Sequence, residues 1–148
     1  MTSSARERDQ QLAAFADVVL DLAHKLDLRH PDLRDVVPLT GTEISVIREI
    51  HKHPRATPSQ IAEVTGLKRS NVSAAVRTLE AGGLVVREHL PGNARSIALM
   101  PTPKAAESIQ RIHAHWSGLL ARAPERALRD ALAAHAALNE IAESLAGQ

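Results

Sequence analysis

Midway along the chain, at Gly82-Gly83, the hydrophobic period changes from helical to alternating, and this switch constrains the fold more than any other feature. Two short helical segments with built-in ends precede it. Thr57-Pro58-Ser59-Gln60 places a hydroxyl at an N-cap, proline at the first helical position and glutamine three residues past the cap, so side chains and free amides satisfy each other. Gly66 stands where a left-handed C-cap belongs, which keeps that helix short. The spacing predicts the next helix over about Arg69 to Ala81, burying Val72, Ala75, Val76 and Leu79. After the two glycines, Leu84-Val-Val-Arg-Glu-His-Leu90 is β-prone, Pro91-Gly92-Asn93 is a turn, and Arg95 to Leu99 alternates. Together they predict a β-hairpin with Ile97 and Leu99 facing inward.

The flanks are helical. Gln10 to Leu26 carries Leu12, Phe15, Val19, Leu22 and Leu26 on one stripe, and residues 29–38, with two prolines, read as a loop or short turn. Thr40-Gly-Thr-Glu43 is a capping box that opens a helix to about His51, burying Ile44, Ile47 and Ile50 and stopped by His53-Pro54. Thr102-Pro103 opens a long helix through Ile109, Ile112, Trp116, Leu119 and Leu120. Pro124 starts a last one with Leu128, Leu132, Leu138, Ile141 and Leu145 on its apolar side. A lone chain leaves the stripes of the first and last helices uncovered, so a homodimer is expected. The organisation expected is one intertwined fold: a dimerisation segment over residues 1–38, a central lobe over 39–101 and dimerisation helices over 102–148.

Composition narrows the function. One Phe, one Trp and no Tyr among 148 residues disfavour a base-stacking platform for single strands. Without Cys there is no disulfide, thiolate metal site or thiol switch. The N-terminus lacks a signal-peptide core and no apolar run approaches a membrane span, so a cytoplasmic protein with no membrane partner is expected. From Arg48 to Arg95 eight Lys or Arg face four acids, a net of +4 against −3 for the remainder of a chain of net charge +1. Such a basic middle suits a phosphate-binding surface, and chance clustering is the plain alternative. His51-Lys-His53 and His113-Ala-His115 are two apart, which on a helix turns the rings about 200° from each other. No histidine pair has four-residue spacing, so a histidine-based metal sensor is a minor alternative. Asp17 and Asp21 read as surface charge. No Gly-rich phosphate loop, Gly-x-Ser-x-Gly elbow or His-Glu-x-x-His helix is present. Neither an enzyme nor a cofactor is expected.

Two short helices, a Gly-containing turn and an immediate hairpin follow the order of a winged helix-turn-helix, in a mostly α fold with a small antiparallel β-wing and a helical dimerisation layer. Ser70, Asn71, Ser73, Ala74 and Arg77 lie opposite the buried side of the second helix. Short polar side chains around one long cation let a helix approach the major-groove floor, although a solvated helix face looks similar. The run from Leu67 to Arg87, with Leu39-Thr40, Ile47, Thr57-Pro-Ser-Gln60-Ile-Ala and Thr102 in order around it, resembles the MarR family of bacterial regulators over about Leu39 to Ala105. Three positions depart from that pattern. The wing reads Asn93-Ala94-Arg95 where the family usually has Asp-x-Arg, Lys68 replaces an acidic cap, and Ala74 replaces a basic residue.

The resemblance implies a homodimer that binds a pseudo-palindrome in double-stranded DNA as a ligand-responsive repressor. The residues it marks for DNA are Thr57, Ser59, Lys68, Arg69, Ser70, Asn71, Ser73, Arg77, Asn93 and Arg95. It also implies a small lipophilic or phenolic effector between lobe and dimer layer. His113 and Trp116, one turn apart, are candidates to line that site, with Trp116 as plain core or interface the alternative. A winged-helix module that works through protein contacts, without DNA, is the competing reading.

Overall fold

A computed structural model describes residues 3–27, 31–90 and 92–145, apart from the side chains of residues 3, 31, 32, 90 and 93–96. Helices α1 (Ser3–Lys25), α2 (Pro31–Val36), α3 (Gly41–Lys52), α4 (Pro58–Thr65) and α5 (Arg69–Ala81) lead into strands β1 (Val85–Leu90) and β2 (Asn93–Pro101). Helices α6 (Pro103–Leu120), α7 (Glu125–Ala133) and α8 (His135–Leu145) follow. The helix starts form as the capping residues predict. Thr40 and Glu43 exchange hydrogen bonds of 2.8 and 3.3 Å, and Thr57 and Gln60 do the same at 2.8 and 3.3 Å. Gly66 closes α4 in the left-handed region at φ 67°, the conformation that favours glycine there.

β1 and β2 pair antiparallel with Arg87 opposite Leu99 and His89 opposite Ile97, before the register shifts next to Leu90. Leu99 is buried and Ile97 half-buried, as the alternation predicts. Ala98 is buried too, because β2 packs against α3, α4 and α6 as well as pairing with β1. The Pro91 part of the expected turn lies outside the described residues.

One apolar core joins Ile44, Ile47 and Ile50 of α3 to Ile61 of α4, Val72, Val76 and Leu79 of α5, Leu99 of β2, and Ile109 and Ile112 of α6. No polar or charged residue is fully buried among the described residues. Among them, no helix is long and apolar enough to cross a membrane.

The helical stretches differ from expectation in three places. α1 begins at Ser3, a full two turns before the apolar stripe. Part of the expected loop at residues 29–38 is the helix α2, whose Leu33, together with Val37 just beyond it, is buried in the core. Arg29 and His30 of that loop lie outside the described residues. The expected last helix is two, broken at Ala134. The stripe records this break: Leu132 to Leu138 is a six-residue step, about 240° around a helix, so one straight helix cannot keep both on the same side.

Outside the core, α1, α7 and α8 bury almost nothing. Leu12 is 57% exposed, Val18 65%, Leu132 74% and Leu145 62%.

Core and cap should separate cleanly in denaturant titrations at fixed protein concentration. Ile47→Ala, at a fully buried position, is expected to cost about 2–5 kcal/mol. Thr57→Ala, which loses only the α4 cap, is expected to cost about 1 kcal/mol. Equal losses would mean that the core is not where the stability resides.

Candidate nucleic-acid interface

Gly66, Leu67 and Lys68 form the whole connection between α4 and α5. Half-buried Leu67 packs on the core beneath it, which fixes the angle of the second helix. At about 100° per residue, the buried row of α5 leaves Ser70, Ala74 and Arg77 outermost, and all three are exposed. Asn71 lies on the flank toward α3, where it lines a shallow groove with Thr40, Thr42, Glu43 and Thr78. Arg69 and Ser73 lie on the opposite flank, which also carries Glu80 at its far end, where it reaches the wing. Ala74 leaves the centre of the outer face low, so a partner can approach the backbone between Asn71 and Arg77.

The charges on this surface are sorted. Arg87 Nε of β1 meets Glu80 Oε2 at 3.0 Å, and Arg55 Nη1, in the bend before α4, meets Glu88 Oε2 at 3.3 Å. Glu49 is held by Lys52 at 2.9 Å and lies 3.8 Å from His53. Three of the four acids of the basic middle are therefore matched by cations away from the outer face of α5. Among the described residues, Lys68, Arg69 and Arg77 have no carboxylate partner. The N-cap position of α5 is Lys68, which makes no side-chain cap. The Asn71 amide bonds to the Lys68 carbonyl at 2.9 Å, which leaves the Arg69 and Ser70 amides open at the positive end of a 13-residue helix, beside two cations.

The remaining marked residues fall in different places. Thr57 is half-buried and its hydroxyl is engaged by the Gln60 amide, so its structural role is the α4 cap. Ser59 is exposed on the first turn of α4, which packs against α5. The backbone of Asn93 and Arg95 lies at the far end of β2, and their side chains lie outside the described residues.

His113 and Trp116 do come together, with ring centroids 6.1 Å apart, and Trp116 is half-buried against the core. The sequence reading misses the third member of this cluster. The Arg48 guanidinium of α3 lies 4.8 Å from the Trp116 ring centroid, and its Nε is buried without a hydrogen-bond partner. No local pattern links two residues so far apart in the chain. Partial burial, and then the positive charges of Arg48, His51 and Lys52, hold the His113 imidazole below its ordinary pKa. Among the described residues no group of three or more His, Asp or Glu is placed to hold a metal ion.

Comparison with known proteins agrees with this architecture. The family model of the MarR family matches residues 37–96, which hold α3, α4, α5 and most of the hairpin. Solved structures match over nearly the whole chain. A MarR transcriptional regulator from Methanosarcina mazei Go1 is 12% identical, covers 90% of this chain and 99% of its own, and superposes with a TM-score of 0.70. The transcriptional regulator BldR from Sulfolobus solfataricus is 21% identical, with 98% and 100% coverage and a TM-score of 0.65. The transcriptional repressor CouR, solved bound to a 23-mer DNA duplex, is 27% identical, with 88% and 95% coverage and a TM-score of 0.64.

The lobe over residues 37–96 is similar to the MarR family, and the chain has the fold of MarR-family regulators. No curated protein sequence matches it. In this MarR-family fold α4 and α5 are the helix-turn-helix, with α5 in the place of the recognition helix, and β1–β2 is the wing.

The His113 cluster has a direct spectroscopic consequence. In an NMR titration His113 is expected to protonate below the ordinary imidazole range. Arg48→Met should raise its midpoint without returning it fully, because burial is the larger cause. The unfolded chain takes up this proton first, so the group favours the fold fully above the unfolded pKa. That contribution is lost as pH falls from the unfolded value through the lower folded one. His113→Gln should remove that part of the acid sensitivity, and an unchanged profile would place His113 in water.

Proposed function

We propose that this protein is a cytoplasmic homodimeric repressor of the MarR family that binds a pseudo-palindromic operator in double-stranded DNA and responds to a small molecule, acting by binding and not by catalysis. The observation that carries the reading is the charge on α5. Lys68, Arg69 and Arg77 stand without carboxylate partners on a face of short side chains, while Glu49, Glu80 and Glu88 are occupied elsewhere. Unneutralised cations and open amides at a helix N-terminus favour phosphate, and the low outer face suits a groove floor. In this reading Arg77 and Asn71 read base edges, with Ser70 and Ser73 between them. Lys68, Arg69, Ser59 and Thr57 hold the backbone, and Arg95, with Asn93 beside it, enters the minor groove from the wing.

The dimer rests on the uncovered leucines, valines and isoleucine of α1, α7 and α8, which a second copy would bury. Residues 1–38 and 102–148 then form the dimer layer around the 39–101 lobe. An effector site at Arg48, His113 and Trp116 is supported by an aromatic face, a guanidinium whose Nε lacks a partner, and an imidazole whose pKa is lowered. That set suits a planar lipophilic or phenolic molecule with an acidic group.

Selection from random duplexes, followed by sequencing, tests the main claim. The expected product is an inverted repeat with half-sites about 10 bp apart centre to centre. Arg77→Ala should then cost roughly 1–3 kcal/mol on the preferred site and relax one position of it. A loss that is equal on all sequences would make Arg77 a phosphate contact. Recovery of no palindrome by a chain that still dimerises would favour a protein-interaction module. In sedimentation equilibrium the full chain should be a dimer at micromolar concentration, and Ile141→Asp should shift it to monomer or render it insoluble. A folded, soluble monomer of the parent would overturn the dimer.

A further inference from the structure

We infer that Lys104 and Thr102 are positioning residues for DNA recognition: they clamp the C-terminal end of α5 to the N-terminal end of α6, and so set the angle at which the dimer layer carries each recognition helix. The inference rests on the DNA-binding reading above.

The clamp consists of three hydrogen bonds. Lys104 Nζ donates to the Gly82 carbonyl at 2.8 Å, the Thr102 hydroxyl donates to the Gly83 carbonyl at 2.8 Å, and the Thr102 amide donates to the Leu84 carbonyl at 3.0 Å. The same Thr102 hydroxyl accepts the Ala105 amide at 3.2 Å, so one side chain caps the start of α6 and holds the end of α5. Gly83 makes this approach at φ 70°, in the left-handed region where a side chain would be strained.

The placement of Lys104 is unfavourable for its own helix. It stands on the first turn of α6, at the positive end of that dipole, in a turn that contains no acid. Among the described residues it has no carboxylate partner, although Glu107 is one turn away. Its charge is satisfied instead at the negative C-terminal end of α5, where a cation is favoured. A local rule is broken on α6 and the compensation lies on the recognition helix.

Little else joins these two helices directly. α5 packs broadly on α3, α4 and β1, and its packing on α6 is slight at most. α6 has its first half in the lobe core through Ala105, Ile109 and Ile112 and runs on toward the uncovered α7 and α8. In a dimer built on those helices, the tilt of α5 relative to α6 decides how far apart, and at what rotation, the two recognition helices are presented. One added base pair turns a half-site by about 34°, which a rigid mount resists and a loose one tolerates.

The test uses the full chain and the duplex recovered by selection, with one base pair added or removed between the half-sites. The parent is expected to lose about tenfold or more in affinity on either altered spacing. Lys104→Met is expected to bind the preferred spacing about tenfold more weakly and to discriminate between spacings by about threefold or less, as the loss of a charge-assisted bond predicts. Lys104→Arg should restore most of both. In the DNA-free protein, hydrogen exchange at the Gly83 and Leu84 amides should quicken several-fold in Lys104→Met, with α3 unchanged. An unchanged spacing ratio overturns the inference, whether affinity falls equally on every duplex or not at all. Unaltered exchange at Gly83 and Leu84 overturns the clamp itself. Recovery of no duplex by the parent would overturn the DNA reading and the positioning role with it, while the exchange result would still report on the clamp.

Discussion

The buried side of α5 is the constraint on which the other features depend. Val72, Ala75, Val76 and Leu79 lie in a core to which α3, α4, β2 and α6 all contribute, and no polar or charged residue is fully buried among the described residues. Such a core has no directional hydrogen bonds to fix register, so shape and volume must do it. Each buried aliphatic side chain contributes about 1.5–3 kcal/mol of transfer free energy, far more than any one surface ion pair here. The helix can therefore present an outer face chosen for another purpose. Serines and an asparagine are poor choices for stabilising a helix, and the core makes that tolerable.

The ion pairs have a different role. Arg87–Glu80 and Arg55–Glu88 are partly exposed, and pairs of that kind are worth about 0–1 kcal/mol. Their effect on charge distribution is larger than their effect on stability. Each neutralises an acid that would otherwise lie near the recognition helix, and each ties the base of the wing to a neighbouring element. The positive field is left at Lys68, Arg69 and Arg77. A net charge of +1 for the whole chain thus conceals a surface with local cationic character.

Much of this was legible in the sequence wherever the cause is local. Thr40, Thr57 and Thr102 cap the helices their spacing predicts, and Gly66 ends α4, because capping partners are only three residues apart. The faces of α5 follow from its period alone. α2 was not legible, because six residues give too few turns to show a stripe, and Pro31 at its start with Pro38 just past its end suggests a turn. Proline is compatible with the first position of a helix, and burial of Leu33 and Val37 supplies what propensity does not. The contacts that organise the candidate sites were hidden for another reason. Arg48 meets Trp116, and Lys104 meets Gly82, across separations that only the tertiary fold closes.

Two parts of the molecule are therefore in opposite states. The core of the lobe is complete within one chain: its isoleucines and leucines are largely buried, α3 and α4 carry side-chain caps, and ion pairs tie the wing to its neighbours. The terminal helices are not, since the most exposed large apolar side chains of the protein lie on α1, α7 and α8. Isolated helices as short as α7 and α8, of 9 and 11 residues, are marginal in water, so their persistence depends on being covered. α6 belongs to both parts, with Ile109 and Ile112 inside the lobe core and Leu120 exposed at its far end. Covering the terminal helices fixes the far end of α6, and Thr102 and Lys104 at its near end hold the carbonyls that terminate α5. Trp116, the centre of the proposed small-molecule site, lies between those two ends. In the function proposed, a molecule bound there would act on the helix that joins the proposed dimer layer to the lobe.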